Sequence, residues 1–312
     1  MKNQFLGSIA GALAVGAVLL LAPASAAGQE PPAGPPPEGR GPGGPGGRGG
    51  RGGAFGGRGG RAPLPPAGPV KRMADGKPDM SGYWNAGNNG GAVFEVQKHP
   101  VAKTGVPPGN GAIVDPPDGL IPYTPEYAKK AKENFEQHLA DEPELHCYMS
   151  GLPNQMYRQF GFQILQPPGY VVMNWEFMHS YRIIPTDSRP HVLPASTKLF
   201  QGDSVGHWEG DTLVVDTTNL NDRTWLDSAG NVHSDQMHVV ERFTPVDERT
   251  INYEATMDDP KAYTKLWKVA FTFNKQMGQP NYEIMEFACV EGNQDVHHYI
   301  QETGGKAKAV RK

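Results

Sequence analysis

The period of the hydrophobic pattern changes once along this chain. From Phe160 onward apolar and polar residues alternate every second position in short runs, as in strands with one face on a core. In TINYEATM, Ile251, Tyr253, Ala255 and Met257 share a face against Asn252, Glu254 and Thr256. In TKLWKVAFTF, Trp267, Val269, Phe271 and Phe273 oppose Lys268 and Thr272. YVVMNWEFMHSYRII reads as a strand pair or one bent strand, and GHWEGDTLVVDTT as a hairpin turning at Glu209, Gly210 and Asp211. HVVERF and YEIMEFACV also read as strands, and TPVDER, DDPKAY and NKQMGQPN between the runs carry turn residues. Gly82 and Trp84 of SGYWN enter a first strand, and residues 86–122, rich in Gly, Asn and Pro, read as long loops.

Only TPEYAKKAKENFEQHLADE has a convincing helical period. Thr124 stands at the N-cap and Pro125 at the first helical position, with Tyr127, Ala131, Phe135 and His138 on one face. Successive strands joined by short turns make an antiparallel meander, and a long meander closes into a barrel because closure removes exposed edges. The expected fold is therefore all-β, barrel-like, with one peripheral helix near residues 125–140. A β-sandwich is the alternative, and an open sheet with the helix on one face is third.

The N-terminal stretch follows a different logic. Lys2, the apolar run FLGSIAGALAVGAVLLLA and the small-residue triplet Ala24-Ser25-Ala26 read as a secretion signal cut after Ala26. No later run approaches the length of a membrane span. The expectation is a periplasmic or secreted protein with no transmembrane segment once the signal is removed. Residues 27–72, almost entirely Gly, Pro and Arg, have too few apolar side chains to offset their ordering entropy and read as a disordered tether. Residues 73–303 form one β-rich domain, and 304–312 a basic, disordered tail.

Charge divides the same way. Beyond Arg72 the chain carries 21 basic and 31 acidic residues, about −10 with histidines neutral. That field is a poor surface for nucleic acid, and the RGG repeats of the tether fit an anionic envelope surface better than RNA in an exported chain. The two cysteines, Cys147 and Cys289, pair by default in an oxidising compartment.

Three long blocks carry a resemblance: GDSVGHWEGDTLVVDTTNLNDRTWLD, HSDQMHVVERFTPVDERTINYEATMDDPKAYTKLW and EFACVEGNQDVHH. Over Pro78 to His298 the chain resembles a family of exported, β-rich proteins from soil bacteria. The resemblance implies export and one β-rich domain, and it implies no activity. Gly82-Tyr83-Trp84 also resembles the G-x-W entry of lipocalin-like barrels.

Candidate chemistry gathers in HSDQMHVVER. Glu241 shares strand parity with Val239 and Phe243, so its carboxylate falls on the apolar face and has to be paired or neutral. His238 and Arg242 fall on the other face. His233, Asp235 and His238 are suitable metal ligands, but His238 has the wrong parity, so a bulge or a ligand such as His179 would be needed. The bland reading is a turn in which Ser234 and Asp235 bond backbone amides while His233 is exposed. No cofactor is otherwise called for.

Glu176, His179 and Arg182 in NWEFMHSYR, with His238 and Glu241, are the candidates for acid–base or ligand-orienting roles. A buried Glu–Arg salt bridge is the structural reading of the same residues. Trp208, Asn221, Trp225, Asp227 and Glu286 are the candidate ligand-binding residues, the tryptophans serving equally well as core. No G-x-S-x-G, Walker loop or H-E-x-x-H is present. The leading expectation is a barrel holding a small, partly apolar molecule in a polar- and aromatic-lined cavity. A hydrolase, lyase or isomerase using the same cluster is second, and a structural envelope protein is third.

Overall fold

A computed structural model describes residues 66–87, 96–98, 111–158, 160–276, 282–290 and 293–302. The chain divides into two units, Met1–Ala62 and Pro63–Lys312, and every described residue belongs to the second. The expected signal, most of the tether and the basic tail lie outside the described residues. Residues 66–72 are held by the domain: Gly68 N–H donates to Glu248 (3.1 Å) and Arg72 pairs with Asp211 (2.6 Å).

The alternating runs become strands β1 (Gly82–Gly87), β2 (Ile113–Asp115), β3 (Phe162–Leu165), β4 (Tyr170–Trp175) and β5 (Tyr181–Pro185). The second half supplies β6 (Asp203–Glu209), β7 (Thr212–Thr218), β8 (His238–Asp247), β9 (Thr250–Asp258) and β10 (Trp267–Lys275). All ladders are antiparallel, in the order β5-β4-β3-β1-β10-β9-β8-β7-β6, with β2 sharing the β1 side of β10. Followed round the sheet, this is the order of the sequence itself, joined where the first strand meets the last. Trp84 lies opposite Lys275 and Ala86 opposite Phe273. The sheet is a nearly closed, up-and-down barrel whose one unladdered junction falls in mid-chain, between β5 and β6.

The alternation decides what lies inside. Phe162, Ile164, Met173, Leu213, Val215, Val239, Phe243, Ile251, Ala255, Met257, Trp267, Val269 and Phe273 are all buried. Each such aliphatic or aromatic side chain contributes about 1.5–3 kcal/mol. Phe243, Tyr253 and Phe273 pack with ring centroids 5.1–6.3 Å apart. These side chains face the interior and belong to one packed hydrophobic cluster.

Outside the sheet lies α1 (Pro125–Gln137), with Tyr127 and Ala131 buried as its period predicts. Thr124 does not cap it through its side chain; its Oγ1 donates to the Lys261 carbonyl (3.4 Å). A short helix, α2 (Asn154–Tyr157), sets Tyr157 against Phe271 (6.2 Å), and α3 spans Asp295–Glu302. The strand expected over YEIMEFACV does not form. The edge of β10 that it would need is occupied by β1 and β2, so residues 282–290 carry no ladder. They are tied down instead by Phe287 N–H donating to His179 Nε2 (2.9 Å) and by the Cys147–Cys289 disulfide, Cα–Cα 5.6 Å. Among the described residues no helix is long and apolar enough to cross a membrane.

Candidate functional site

The β5–β6 junction holds together by side chains. Burial alternates along β5, with Arg182 and Ile184 inside and Tyr181 and Ile183 exposed. Arg182 reaches across the gap: Nε donates to Ser204 Oγ (2.9 Å) and Nη2 to Thr217 Oγ1 (2.6 Å). Nη2 also pairs with Glu241 Oε2, whose carboxylate accepts from Tyr253 through its other oxygen (2.9 Å). Burial pushes the Tyr253 phenol well above its usual range, which keeps it a donor. Five strands, β5 to β9, thus converge on one buried ion pair. At the other end of the junction Ser188 N–H donates to the Gly206 carbonyl (3.2 Å), and a Cβ at Gly206 would lie 3.1 Å from Ile184.

Outside this junction lies a cleft of about 780 Å³. Tyr181 and Ile183 form one wall, and Val192, Leu199 and Phe200 of the connecting strap, residues 186–202, form another. Arg182 and Ser204 contribute to the lining as well, so the floor is the unladdered gap itself. Tyr181 is 64% exposed and Val192 75%, so the cleft walls present wet apolar surface. The strap is pinned along its length. Leu199 N–H donates to the Asn219 carbonyl (2.8 Å), and Asn219 Nδ2 donates to the Pro194 and Thr197 carbonyls (2.8 Å each). Asn219 does this from a left-handed conformation, φ 60°, which asparagine tolerates better than most residues. Gly202 ends the strap at φ +66°, where a Cβ would stand 2.5 Å from the Thr218 carbonyl.

A second chain of polar groups runs over the outer face beside the strap. His191 Nδ1 meets Asp203 (3.2 Å), its Nε2 meets Asp216 (2.8 Å), and the other oxygen of Asp216 meets His238 Nε2 (2.8 Å). The bond to Asp216 holds the His238 imidazole above its usual range, and the same bond holds the Asp216 carboxyl below its own. Asp203 also lines the cleft.

The residues singled out from sequence do not form one cluster. Arg182 and Glu241 meet inside, as a buried pair. His238, three residues before Glu241, points the opposite way. Glu176 and His179 sit in the β4–β5 connection and turn toward the C-terminal segment, where Glu176 accepts from Tyr282 (3.4 Å) and His179 binds the Phe287 amide. A five-residue acid–base constellation is therefore not assembled.

Asn221 is buried in the cleft lining, whereas Trp208 stands at the end of β6 under Lys77 (5.8 Å). Trp225 packs on Leu139 and the main core. Glu286 is exposed near the disulfide. Asp227 organises backbone, accepting from the amides of Val96, Ala229 and Asn231 (2.9–3.1 Å), and its burial raises its carboxyl.

The metal trio separates because only His238 lies on a strand: His233 and Asp235, which equal parity would put on one face, sit in the loop before β8 and part as well. His233 is buried on Thr224 (2.9 Å) and the Ser234 carbonyl, with its pKa lowered by burial. Asp235 pairs with Lys261 (3.8 Å) at the surface, and His238 belongs to Asp216. Ser234 bonds Asp259 (2.7 Å) and accepts from Gln236 N–H as the turn reading expects, but that reading had His233 exposed, and it is buried. Among the described residues no group of three or more His, Cys, Asp or Glu is placed to hold a metal ion.

Sequence reasoning missed His191, Asp203 and Asp216, and the buried trio of Arg158 with Glu142 and Glu144. The outward parity of Asp216 between Val214 and Thr218 was the available signal for the first group. Three charged residues within the irregular stretch 142–158 gave none for the second.

No family model and no curated protein matches the sequence. Among solved structures, a mutant of the fluorescent protein UnaG is similar at 11% identity, covering 45% of this chain and 90% of that one, with a TM-score of 0.24.

Proposed function

We propose that this protein, outside the cytoplasm, binds a small, partly apolar molecule in the cleft at the β5–β6 junction. The observation that carries this reading is one juxtaposition: exposed Tyr181, Ile183, Val192 and Leu199 surround a cleft over the junction that carries no ladder, lined also by Arg182, Ser204 and Asp203. Apolar walls with a few convergent polar groups are what a ligand of this kind requires. A second depression of about 610 Å³ beside α1 has Lys98, Lys132 and Lys265 at its rim but no buried charge in its lining. Export is supported by the signal-like N-terminus and by the disulfide.

The test is extraction and mass identification of what co-purifies with the protein from its own host. Val192→Asp puts a charge on the strap wall and should abolish retention while the circular dichroism spectrum is unchanged. Retention that survives this change would place the ligand elsewhere.

A second reading, acid–base turnover of the bound molecule, draws on Asp203, which belongs both to the cleft and to the His191–Asp216–His238 chain. It requires that Asp216→Asn stop consumption of the ligand and leave binding intact.

A further inference from the structure

Arg223 stands exposed on the cleft lining with its charge unmet. Its guanidinium lies over Tyr148 (4.8 Å) and over Phe200 (5.3 Å), two rings that themselves stack with centroids 5.9 Å apart. Among the described residues no carboxylate pairs with that guanidinium, and no oxygen accepts a hydrogen bond from it. The backbone beneath it is fixed from the strap. Asn221 N–H donates to the Leu199 carbonyl (2.9 Å), and Asn221 Oδ1 accepts from Arg223 N–H (3.0 Å). Loop and rings thus hold the arginine in place before any partner arrives, which lowers the ordering entropy that association costs. Contact with the rings occupies a flat face of the guanidinium and leaves its donor edge free.

The rest of the lining narrows the head group. Of the three cations on it, Arg182 is spent on Ser204, Thr217 and Glu241, and Lys198 Nζ donates to the Asp235 carbonyl (2.6 Å). Arg223 alone keeps every side-chain donor unspent. Asp203 and Asp222 line the same cleft, so a doubly charged head such as a phosphate would meet two carboxylates with a single fork to hold it. A planar head with one negative charge suits the fork, because a carboxylate accepts two parallel N–H bonds from a guanidinium. Phe200 is itself part of the cleft wall and follows Leu199 in the chain, so a head held there has the apolar walls within reach of its tail.

We infer that the cleft takes a monocarboxylate with an apolar body. The carboxylate pairs with Arg223 at the Phe200 end, and the body lies on Tyr181, Ile183, Val192 and Leu199. This rests on the reading of the cleft as a binding site given above.

Titration calorimetry of the full chain with octanoate, octanamide and octylammonium tests both claims, because the three share a tail and differ in the head. Octanoate should bind about tenfold or more tightly than either of the others. Arg223→Gln should bring octanoate to within about threefold of octanamide and leave octanamide itself unmoved, which also shows that the variant keeps its cleft. Arg223→Lys keeps the charge without the fork and should recover only part of the preference. Val192→Asp should weaken octanoate and octanamide together. If octanamide or octylammonium binds as tightly as octanoate, the carboxylate assignment is overturned and the cleft stands. If octanoate wins but Arg223→Gln leaves its advantage intact, another group reads the head and the assignment fails. If none of the three binds, the cleft reading falls and takes the assignment with it.

Discussion

His238 and Glu241 stand three residues apart on β8 and lead opposite lives. Glu241 faces a dry interior, where a carboxylate persists only because Arg182 and Tyr253 complete it. His238 faces half-open solvent, where Asp216 and the neighbouring His191 form a chain that water can partly replace. The ion pairs look alike on paper. Burial decides what each is worth, because attraction between charges and the penalty for leaving one alone both grow as water is removed.

The sharpest way to break this contrast is to remove the inner anion. Glu241→Ala leaves Arg182 charged and unpaired in the core and should cost about 3–5 kcal/mol in urea unfolding. A Glu241→Leu/Arg182→Met double variant should recover most of that loss; failure to recover would mean the pair contributes net stability.

Next comes the other buried network, in which one arginine, Arg158, serves two carboxylates. Burial and the adjacent Glu144 push the Glu142 carboxyl up to about 8. A folded-state value above the unfolded one means the stabilisation is complete below about 4.5 and is lost as pH rises through about 8. Glu142→Gln should flatten the alkaline limb of the stability profile, and an unchanged slope would assign that limb to another group.

Tyr253→Phe deletes one charge-assisted hydrogen bond to Glu241 while keeping the ring, an expected loss of about 1.5–3 kcal/mol. The smallest effect belongs to the outer face. Asp216→Asn should cost less than about 1 kcal/mol and less still in high salt. In the same variant the NMR titration midpoint of His238 should move down, since the bond to Asp216 is what raises it. With the bond present, the stabilisation linked to His238 is complete below about 6.5 and fades as pH rises through the raised value. An outer-face loss matching that of Glu241→Ala would erase the distinction between the two regions.

Much of this was legible in the residues. Period-two alternation placed β9 and β10 and chose their inner faces correctly, because one face of each strand meets hydrocarbon and the other water. The same parity set Glu241 and His238 on opposite faces, although both were expected inside the barrel, and a buried Glu–Arg pair was the structural alternative for these residues. What parity cannot reveal is which two strands lack a ladder. YEIMEFACV alternates as well as any true strand, yet β1 and β2 had already taken the edge it needed. The cleft was invisible for a related reason: Val192, Leu199 and Gln201 lie in an irregular strap, and only closure of the sheet brings that strap against Tyr181 and Ile183. His191 was missed because its partners come from β6 and β7, far along the chain from its loop.

The joining of first strand to last carries a kinetic burden. As the chain is synthesised, Gly82–Gly87 exists long before Trp267–Lys275, and half of its backbone hydrogen-bonding capacity has nowhere to go in the meantime. Contacts so remote in sequence form slowly. An unpaired strand edge left waiting that long invites pairing with a neighbouring molecule. Folding in the cell should therefore be most vulnerable just before β10 arrives, and a chain truncated there should aggregate rather than settle into a smaller barrel.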